Sequence, residues 1–468
     1  MTASESISFS TLNLLPGLLG NLDSLGYKRL TDIQAKSLPP ILAGKDVIAQ
    51  GKTGSGKTAA FGLGLLQTID AKQFSIQALV LCPTRELADQ VASEIRRLAR
   101  QLPNIKVLTL CGGVPIAPQI SSLQQGAHII VGTPGRIEDH LNKNSLALEG
   151  LKVWVLDEAD RMLEMGFQPA LDAILKRLPA QRQTLLFSAT FPEQIEAISQ
   201  RIMKNPLRVQ VDSTHDNHTI AQHFYRAETP EQRLTALRLV LLDLKPESSV
   251  VFCNTKAETQ QVANALVDFG FSAQALHGDL DQKERDQTLI QFANKSISIL
   301  VATDVAARGL DIDALDAVVN YHLAHDPEIH LHRVGRTGRA GSKGVACSFF
   351  SEKDRYKLAL LAESLGWTEQ GVQGEPLPDA KLLRQPAIQA KMRTLQIDGG
   401  KKQKLRPGDI VGALTANQVL EASQIGKIKV TDIRSFVAVE RGCLKQAIQQ
   451  LTVGKLKGKT FRVQVLGR

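Results

Sequence analysis

Two short segments could do chemistry together. Residues 157–160 read Asp-Glu-Ala-Asp, directly after the apolar run Val153-Trp154-Val155-Leu156. About a hundred residues earlier stands Gly51-Lys52-Thr53-Gly54-Ser55-Gly56-Lys57-Thr58, two spaced glycines followed by Lys-Thr. In such a loop, Gly51, Gly54 and Gly56 let backbone N–H groups turn onto phosphate oxygens. Lys57 adds a point charge at the β/γ-phosphates, and Thr58 offers a hydroxyl to magnesium. Asp157, at the end of an apolar run, suits the carboxylate that holds that magnesium. Glu158 follows it and can position or deprotonate the attacking water. The chemistry implied is nucleotide hydrolysis, with ATP and Mg2+ as cofactors.

These segments need a scaffold that brings them to one place. Asp46–Gln50, Ala78–Cys82, His128–Val131, Val153–Leu156 and Thr184–Phe187 read as buried strands, and helical patterns such as Glu86–Leu102 lie between them. That alternation predicts a parallel α/β sheet with functional residues at the carboxyl ends of its strands. The phosphate loop falls where it should, between the strand Val47–Gln50 and a helix over Thr58–Leu66. After the polar stretch Asp212–Asn217 the pattern restarts with Ser249–Cys253, Ala273–Leu276, Ile297–Thr303, Ala317–Tyr321 and Val345–Phe349. Two RecA-like parallel-sheet domains are expected, over 1–211 and 218–365. Residues 366–391 read as a linker, because Gly371–Pro386 carries three prolines and little periodicity. Residues 392–468 read as strand, helix, two strands, helix, strand. This βαββαβ order is a ferredoxin-like fold of the kind used by RNA-recognition domains.

His332-Arg333-Val334-Gly335-Arg336-Thr337-Gly338-Arg339 places three arginines in eight residues of the second domain. An arginine finger stabilises the charge that develops on a transferring phosphoryl group, while arginine also suits nucleic-acid phosphates. If the finger and the phosphate loop serve one nucleotide, the site is complete only when the two domains close.

The chain of 468 residues is long enough for three domains of ~150 residues. No run has the ~18 apolar residues that a membrane span needs, and the start lacks the pattern of a signal peptide. Its five cysteines are odd in number and scattered, which argues against a disulfide framework or a zinc site and for a reducing cytoplasm. The net charge is +9, yet residues 391–468 hold 16 Lys+Arg and 5 Asp+Glu, or +11, leaving −2 for the rest. Such asymmetry points to a polyanion-binding appendage on a near-neutral engine, with a merely solvated basic surface as the alternative.

Across about residues 9–350 the chain resembles the DEAD-box ATP-dependent RNA helicases. Gly26-Tyr27-Lys28-Arg29-Leu30-Thr31-Asp32-Ile33-Gln34 resembles the family's adenine-reading segment. The resemblance makes Gln34 the adenine contact, Phe9 the isolated upstream aromatic and Tyr27 part of the nucleotide site. Pro83-Thr84-Arg85-Glu86-Leu87, Gly112-Gly113 and Thr133-Pro134-Gly135-Arg136 match its first-domain RNA-binding segments, which implies RNA contacts at Arg85, Gly113, Thr133 and Arg136. Ser188-Ala189-Thr190 matches the segment that couples hydrolysis to unwinding. In the second domain, Val251–Thr255 and Gln282-Lys283-Glu284-Arg285 resemble RNA-side motifs. Residues 302–312 resemble the motif shared by RNA and ATP: Arg285 and Thr303 then face RNA, and Gly309 and Asp311 the nucleotide. Arg336 and Arg339 map to the finger positions and His332 to a coupling position. Asp32 stands where many members have Pro, and His330 where many have an aromatic.

The tail resembles the RNA-binding domain of the DbpA subfamily. That resemblance implies a hairpin of 23S ribosomal RNA with adjacent duplex as partner and a role on the pre-ribosomal large subunit; local unwinding of RNA is the leading expectation, and nothing in the sequence suggests more than a monomer. An ATP-dependent clamp that remodels protein–RNA contacts without unwinding uses the same motifs, and a DNA translocase fits the adenine-reading segment and the tail less well. Within the tail, Gln396 and Arg434 stand where RNA-recognition domains place stacking aromatics, and only Phe436 remains. Phe436 reads equally as a core residue. The basic residues gather near expected loops: Lys401, Lys402, Lys404 and Arg406, Lys427 and Lys429, and Lys455, Lys457 and Lys459. This favours recognition of a folded RNA by shape and phosphate, with Arg434 free to stack through its guanidinium.

Overall fold

A computed structural model describes residues 7–51, 54–211, 220–307, 315–338, 344–365, 367 and 374–467. The chain folds as two compact units, the second of which carries two sheets.

The first unit holds a seven-stranded sheet of β1 (Val47–Gln50), β2 (Ala78–Leu81), β3 (Val107–Leu110), β4 (Ile129–Gly132), β5 (Val153–Asp157), β6 (Gln183–Ser188) and β7 (Leu207–Gln210). All neighbours are parallel, in the order β3-β4-β2-β5-β6-β1-β7. Its central strands are buried on both faces because helices cover both sides, and separate apolar clusters lie on the two faces. β3 and β7 escaped the reading of apolar runs. They are edge strands, partly exposed, and Leu207-Arg208-Val209-Gln210 buries only its valine.

The second unit contains a six-stranded parallel sheet of β8 (Ile220–Arg226), β9 (Ser249–Cys253), β10 (Ala273–Leu276), β11 (Ile299–Thr303), β12 (Ala317–Asn320) and β13 (Gly344–Phe350), in the order β10-β11-β9-β12-β13-β8. Here too the strand missed in sequence is an edge, β8. The tail forms an antiparallel sheet of β14 (Met392–Ile397), β15 (Ile425–Val430), β16 (Ser435–Glu440) and β17 (Val463–Val465), in the order β15-β16-β14-β17. Helices Pro407–Thr415 and Leu444–Val453 cover one of its faces, completing the βαββαβ order.

The segment expected to be a linker is not loose where it is described. Leu382, Leu383 and Ala387 pack on the core of the second helicase-type sheet, and Arg238 Nη2 donates to the Leu383 carbonyl at 3.0 Å. Prolines suppress helix and strand there without preventing burial, which periodicity alone cannot reveal.

Candidate active site

The carboxyl ends of the first sheet converge on the phosphate loop. Gly51 leaves β1 and donates its N–H to the Ser188 carbonyl at the end of β6, at 3.0 Å. Gly54 and Gly56 take φ of 84° and 96°, a region that side chains resist. A Cβ on Gly56 would also lie 2.5 Å from Gln34 Nε2. Lys57 opens the helix Lys57–Thr68, is buried, and donates from Nζ to the Gly51 carbonyl at 2.5 Å. Its charge therefore lies folded over the loop that it serves.

Gln34 sits behind this loop. Its Oε1 accepts from Thr31 N–H at 2.9 Å, and its Nε2 donates to the Gly56 carbonyl at 3.1 Å. Thr31 Oγ1 donates to the Ser55 carbonyl at 2.7 Å. The segment resembling the adenine reader is thus fastened to the phosphate loop, and Gln34 would exchange these bonds to meet a base. Phe9 is 3% exposed and lies edge-on to Tyr27 with ring centroids 5.9 Å apart, so it offers no open face in this arrangement. The Tyr27 hydroxyl donates to Glu94 at 2.8 Å and accepts from Arg97 at 2.7 Å. Burial, reinforced by Glu94, pushes that phenol up to about 12.

Asp157 ends β5 and is 3% exposed. Burial pushes its carboxyl up to about 7, and the neighbouring Glu158 adds to the rise, against the pull of the Lys57 ammonium. Glu158 adopts φ 52° and ψ 52°, a left-handed conformation rare for a residue with a side chain. Its N–H donates to Asp157 Oδ1 at 3.1 Å. Strain of about 1–3 kcal/mol at such a position persists where the surroundings fix it, as at functional sites. Asp160 Oδ2 accepts from both the N–H and the hydroxyl of Thr190, at 3.0 and 2.9 Å. Burial opposes its charge, yet the Arg161 guanidinium and the Thr190 bonds hold its carboxyl below the ordinary range.

In the second unit, Thr303 ends β11 and its Oγ1 accepts from Ala306 N–H at 3.4 Å. Arg285, on the helix Gln282–Ala293, donates from Nη2 to the Ala306 carbonyl at 2.9 Å, so the two expected RNA-side residues both bond to Ala306. The helix Pro327–Val334 carries His332 and leads into Arg336. Arg333, which the sequence reading left without a role, is the buried anchor of this helix. It makes a two-pronged ion pair with Asp304, Nε to Oδ1 at 2.6 Å and Nη2 to Oδ2 at 2.7 Å, and lies 5.1 Å from the Phe252 ring centroid. The arrangement joins three segments that the sequence showed only as separate motifs. Lys52, Thr53, Gly309, Asp311 and Arg339 lie outside the described residues.

Known proteins share this layout. Residues 31–198 match the DEAD/DEAH box helicase model, 232–341 the helicase conserved C-terminal domain, and 394–465 the DbpA RNA binding domain. The chain is 53% identical over 464 residues to the ATP-dependent RNA helicase DbpA of Escherichia coli (strain K12), covering 98% of this chain and 99% of that one. The chain belongs to the DEAD-box RNA helicases, in the DbpA subfamily. It is likewise 35% identical to the ATP-dependent RNA helicase DbpA of Bacillus subtilis (strain 168), over 97% of this chain and 98% of the other. Among solved structures, S. cerevisiae Dbp5 bound to RNA and ADP BeF3 superposes with a TM-score of 0.70 at 32% identity, over 77% of this chain and 94% of that chain.

The remaining expectations concern the RNA side of this DEAD-box enzyme. In the first domain, Arg85 opens the helix Arg85–Leu98, Gly113 takes φ 72°, and Thr133 precedes the helix Pro134–Asn142. Arg136 donates from Nη1 to Gln119 and from Nη2 to the Val114 carbonyl, at 3.0 and 2.9 Å. In the RNA-binding domain, Lys401, Lys402, Lys404 and Lys455 are exposed. Lys457 is engaged within the domain: its Nζ donates to the Lys404 carbonyl at 2.7 Å and pairs with Asp409 at 3.3 Å. Arg434 lies just before β16, its Nε 3.7 Å from Asp398, rather than on a strand. Phe436 and Gln396 are both buried. Phe436 belongs to neither reading offered by the sequence: it is not exposed for stacking, and it is absent from the domain's own core.

Proposed function

We propose that this helicase uses Mg2+-ATP to open short duplexes next to a folded segment of 23S ribosomal RNA during large-subunit assembly, acting as a cytoplasmic monomer. The observation that carries the reading is the pairing of a linked ATPase site with a basic domain whose exposed lysines lie on loops. Lys57, Asp157, Glu158, Asp160 and Thr190 form the one; Lys401, Lys402, Lys404 and Lys455 mark the other.

The donor set fits magnesium. Asp157 is a buried carboxylate raised to about 7, so a divalent cation beside it would favour its ionised form. Asp157 and the Thr58 hydroxyl would hold the ion, which supplies charge neutralisation at the β/γ-phosphates. The loop N–H groups and Lys57 bind phosphate, Gln34 selects adenine, and Glu158 takes the proton of the attacking water. Arg336 and Arg339 stabilise the charge leaving on phosphate when the domains close. Asp160 and Thr190 carry the state of the site toward the RNA face. His332 and Ser188 belong to the same coupling.

On the RNA side, Arg85 carries a buried Nε with no hydrogen-bond partner among the described residues, a donor that a phosphate would satisfy. Arg136, Gly113, Thr133, Arg285 and Thr303 complete the sequence-blind grip of the engine. The loop lysines select the target, so specific binding falls steeply with salt.

The test compares RNA-stimulated ATPase activity on a 23S fragment and on generic RNA, for the parent and for the triple variant Lys401→Gln, Lys402→Gln, Lys404→Gln. The variant is expected to lose the preference for the fragment while keeping the response to generic RNA. A preference that survives would place target choice elsewhere.

A further inference from the structure

The helix Ala117–Gln124 of the first helicase domain has eight residues and none of them is fully buried. Leu123 packs on the apolar cluster beside it. A helix this short is marginal by itself, and so little apolar contact fixes it weakly. Polar ties do the rest, and they meet at Gln119. Its Nε2 donates to the Cys111 carbonyl, just past β3, at 3.0 Å. Its Oε1 accepts from Arg136 Nη1 at 3.0 Å and meets His140 Nε2 at 3.0 Å. One amide thus joins three segments: the exit of β3, its own helix and the helix Pro134–Asn142.

Chemistry fixes the orientation of this amide. A guanidinium only donates, so the oxygen of Gln119 must face Arg136 and its NH2 the Cys111 carbonyl. His140 then has to present an N–H from Nε2. Its ring is fully buried, and burial together with the Arg136 charge holds its pKa below the ordinary value. The neutral ring with its proton on Nε2 leaves Nδ1 to accept from the Ser145 hydroxyl, 2.8 Å away. Arg136 is the other arm. Its side chain is only 9% exposed, and Nη2 donates to the Val114 carbonyl at 2.9 Å. The guanidinium therefore supports the turn Gly112-Gly113-Val114 from its buried side. On the outer side, Gly113 holds φ 72° and is exposed, and a Cβ on Gly112 would meet nothing within 4 Å. The backbone of this turn is open to a phosphodiester.

We infer that Gln119 is a positioning residue for RNA binding: it locks the Arg136 guanidinium against the turn Gly112-Gly113-Val114, so that the turn meets RNA phosphates in one fixed geometry. This rests on the proposed reading that Gly113 and Arg136 belong to the RNA grip; the locking of the turn does not require it. A turn without the lock has to order at the moment of binding, and that entropic cost is subtracted from RNA affinity. The ATP site lies at other strand ends and is untouched. Gln119 therefore acts on how tightly the first domain holds RNA, and not on how fast bound ATP is cleaved.

The full-length chain tests this with Gln119→Met, which keeps the length of the side chain and removes its polar atoms, beside Arg136→Ala and the double variant. All five native cysteines are buried, so a nitroxide on Val114→Cys, at a position 40% exposed in the parent, reports the motion of the turn. Without nucleotide or RNA, Gln119→Met and Arg136→Ala should each shorten the label's correlation time about twofold or more. An unchanged spectrum in Gln119→Met overturns the locking. The ATPase of the unlabelled proteins, with Val114 intact, is then titrated with poly(A), an RNA that lacks the hairpin. Gln119→Met should raise KM for poly(A) about fivefold, with kcat and KM for ATP kept within about twofold. In the Arg136→Ala background the same substitution should add less than about 1.5-fold, because its effect runs through that guanidinium. Effects that multiply independently, or a lowered kcat at unchanged KM, overturn the positioning role. If Arg136→Ala itself leaves KM for poly(A) at the parent value, the RNA reading of this region falls instead, while the label spectra still judge the locking.

Discussion

Thr190 donates both its backbone N–H and its hydroxyl to one oxygen of Asp160, at 3.0 and 2.9 Å. The last acid of the Asp-Glu-Ala-Asp tetrad is therefore tied to Thr190, two residues past the end of the adjacent strand β6. Asp160 is buried and held in its charged form, so losing a donor costs about 1–3 kcal/mol. Thr190→Val removes the hydroxyl and keeps the shape. RNA-stimulated ATP turnover should stay within about threefold of the parent, while strand displacement falls about tenfold or more. Parallel ATPase and displacement assays decide it. Equal loss of both would make the contact part of the hydrolysis site instead.

Glu158 is presented by a left-handed backbone at the end of β5, next to the buried Asp157. A general base contributes about 10²–10⁴-fold to rate. Glu158→Gln keeps the size and the hydrogen-bonding capacity but cannot take a proton. Turnover should drop by about 10²-fold or more, with ATP affinity nearly unchanged and the RNA complex longer-lived. Single-turnover hydrolysis and nucleotide titration measure the two parts separately. Full-speed turnover would remove Glu158 from the role.

Much of this was legible because the chemistry is local in sequence. The phosphate loop, the tetrad and the buried strands that carry them are contiguous runs, and burial on both faces of a parallel sheet writes itself as unbroken apolar residues. Edge strands such as Leu207–Gln210 lack that mark. The Arg333–Asp304 pair was illegible for another reason: its partners lie 29 residues apart and meet only through the fold. Phe436 shows the limit best. Whether an apolar strand residue is open, core or interface depends on a neighbour from another domain, here Ile290.

Asp157 makes the nucleotide-free protein sensitive to pH. Its carboxyl is raised to about 7 in the fold, against 3.8 for the free group. Between those values the folded state binds more protons than the unfolded one, so stability falls as pH rises through that window. Above it, the buried charge costs roughly 2–4 kcal/mol. Asp157→Asn should therefore raise the melting temperature at pH 8 and give little gain near pH 4. Melting curves of the two proteins without nucleotide or magnesium provide the comparison. A gain that is equal at both pH values would mean the side chain acts through packing rather than charge.

His330 carries the opposite sign. The fold treats its ring as it would an apolar aromatic. The ring is buried, stacks on Phe224 with centroids 6.2 Å apart, and shares a hydrogen bond from Nε2 with Gln222 at 3.0 Å. Burial, helped by the Arg333 charge, pulls its pKa down to about 3 from 6.5. The folded state thus refuses a proton that the unfolded chain accepts, and stability is lost as pH falls below 6.5. At pH 5 the loss is about 2 kcal/mol. His330→Phe keeps the stacking and removes the titration, at the expense of the Gln222 bond, worth about 1 kcal/mol. The variant should be slightly less stable than the parent at pH 8 and more stable at pH 5. Urea unfolding at the two pH values reads the crossover, and parallel curves with no crossing would show that His330 does not titrate on unfolding.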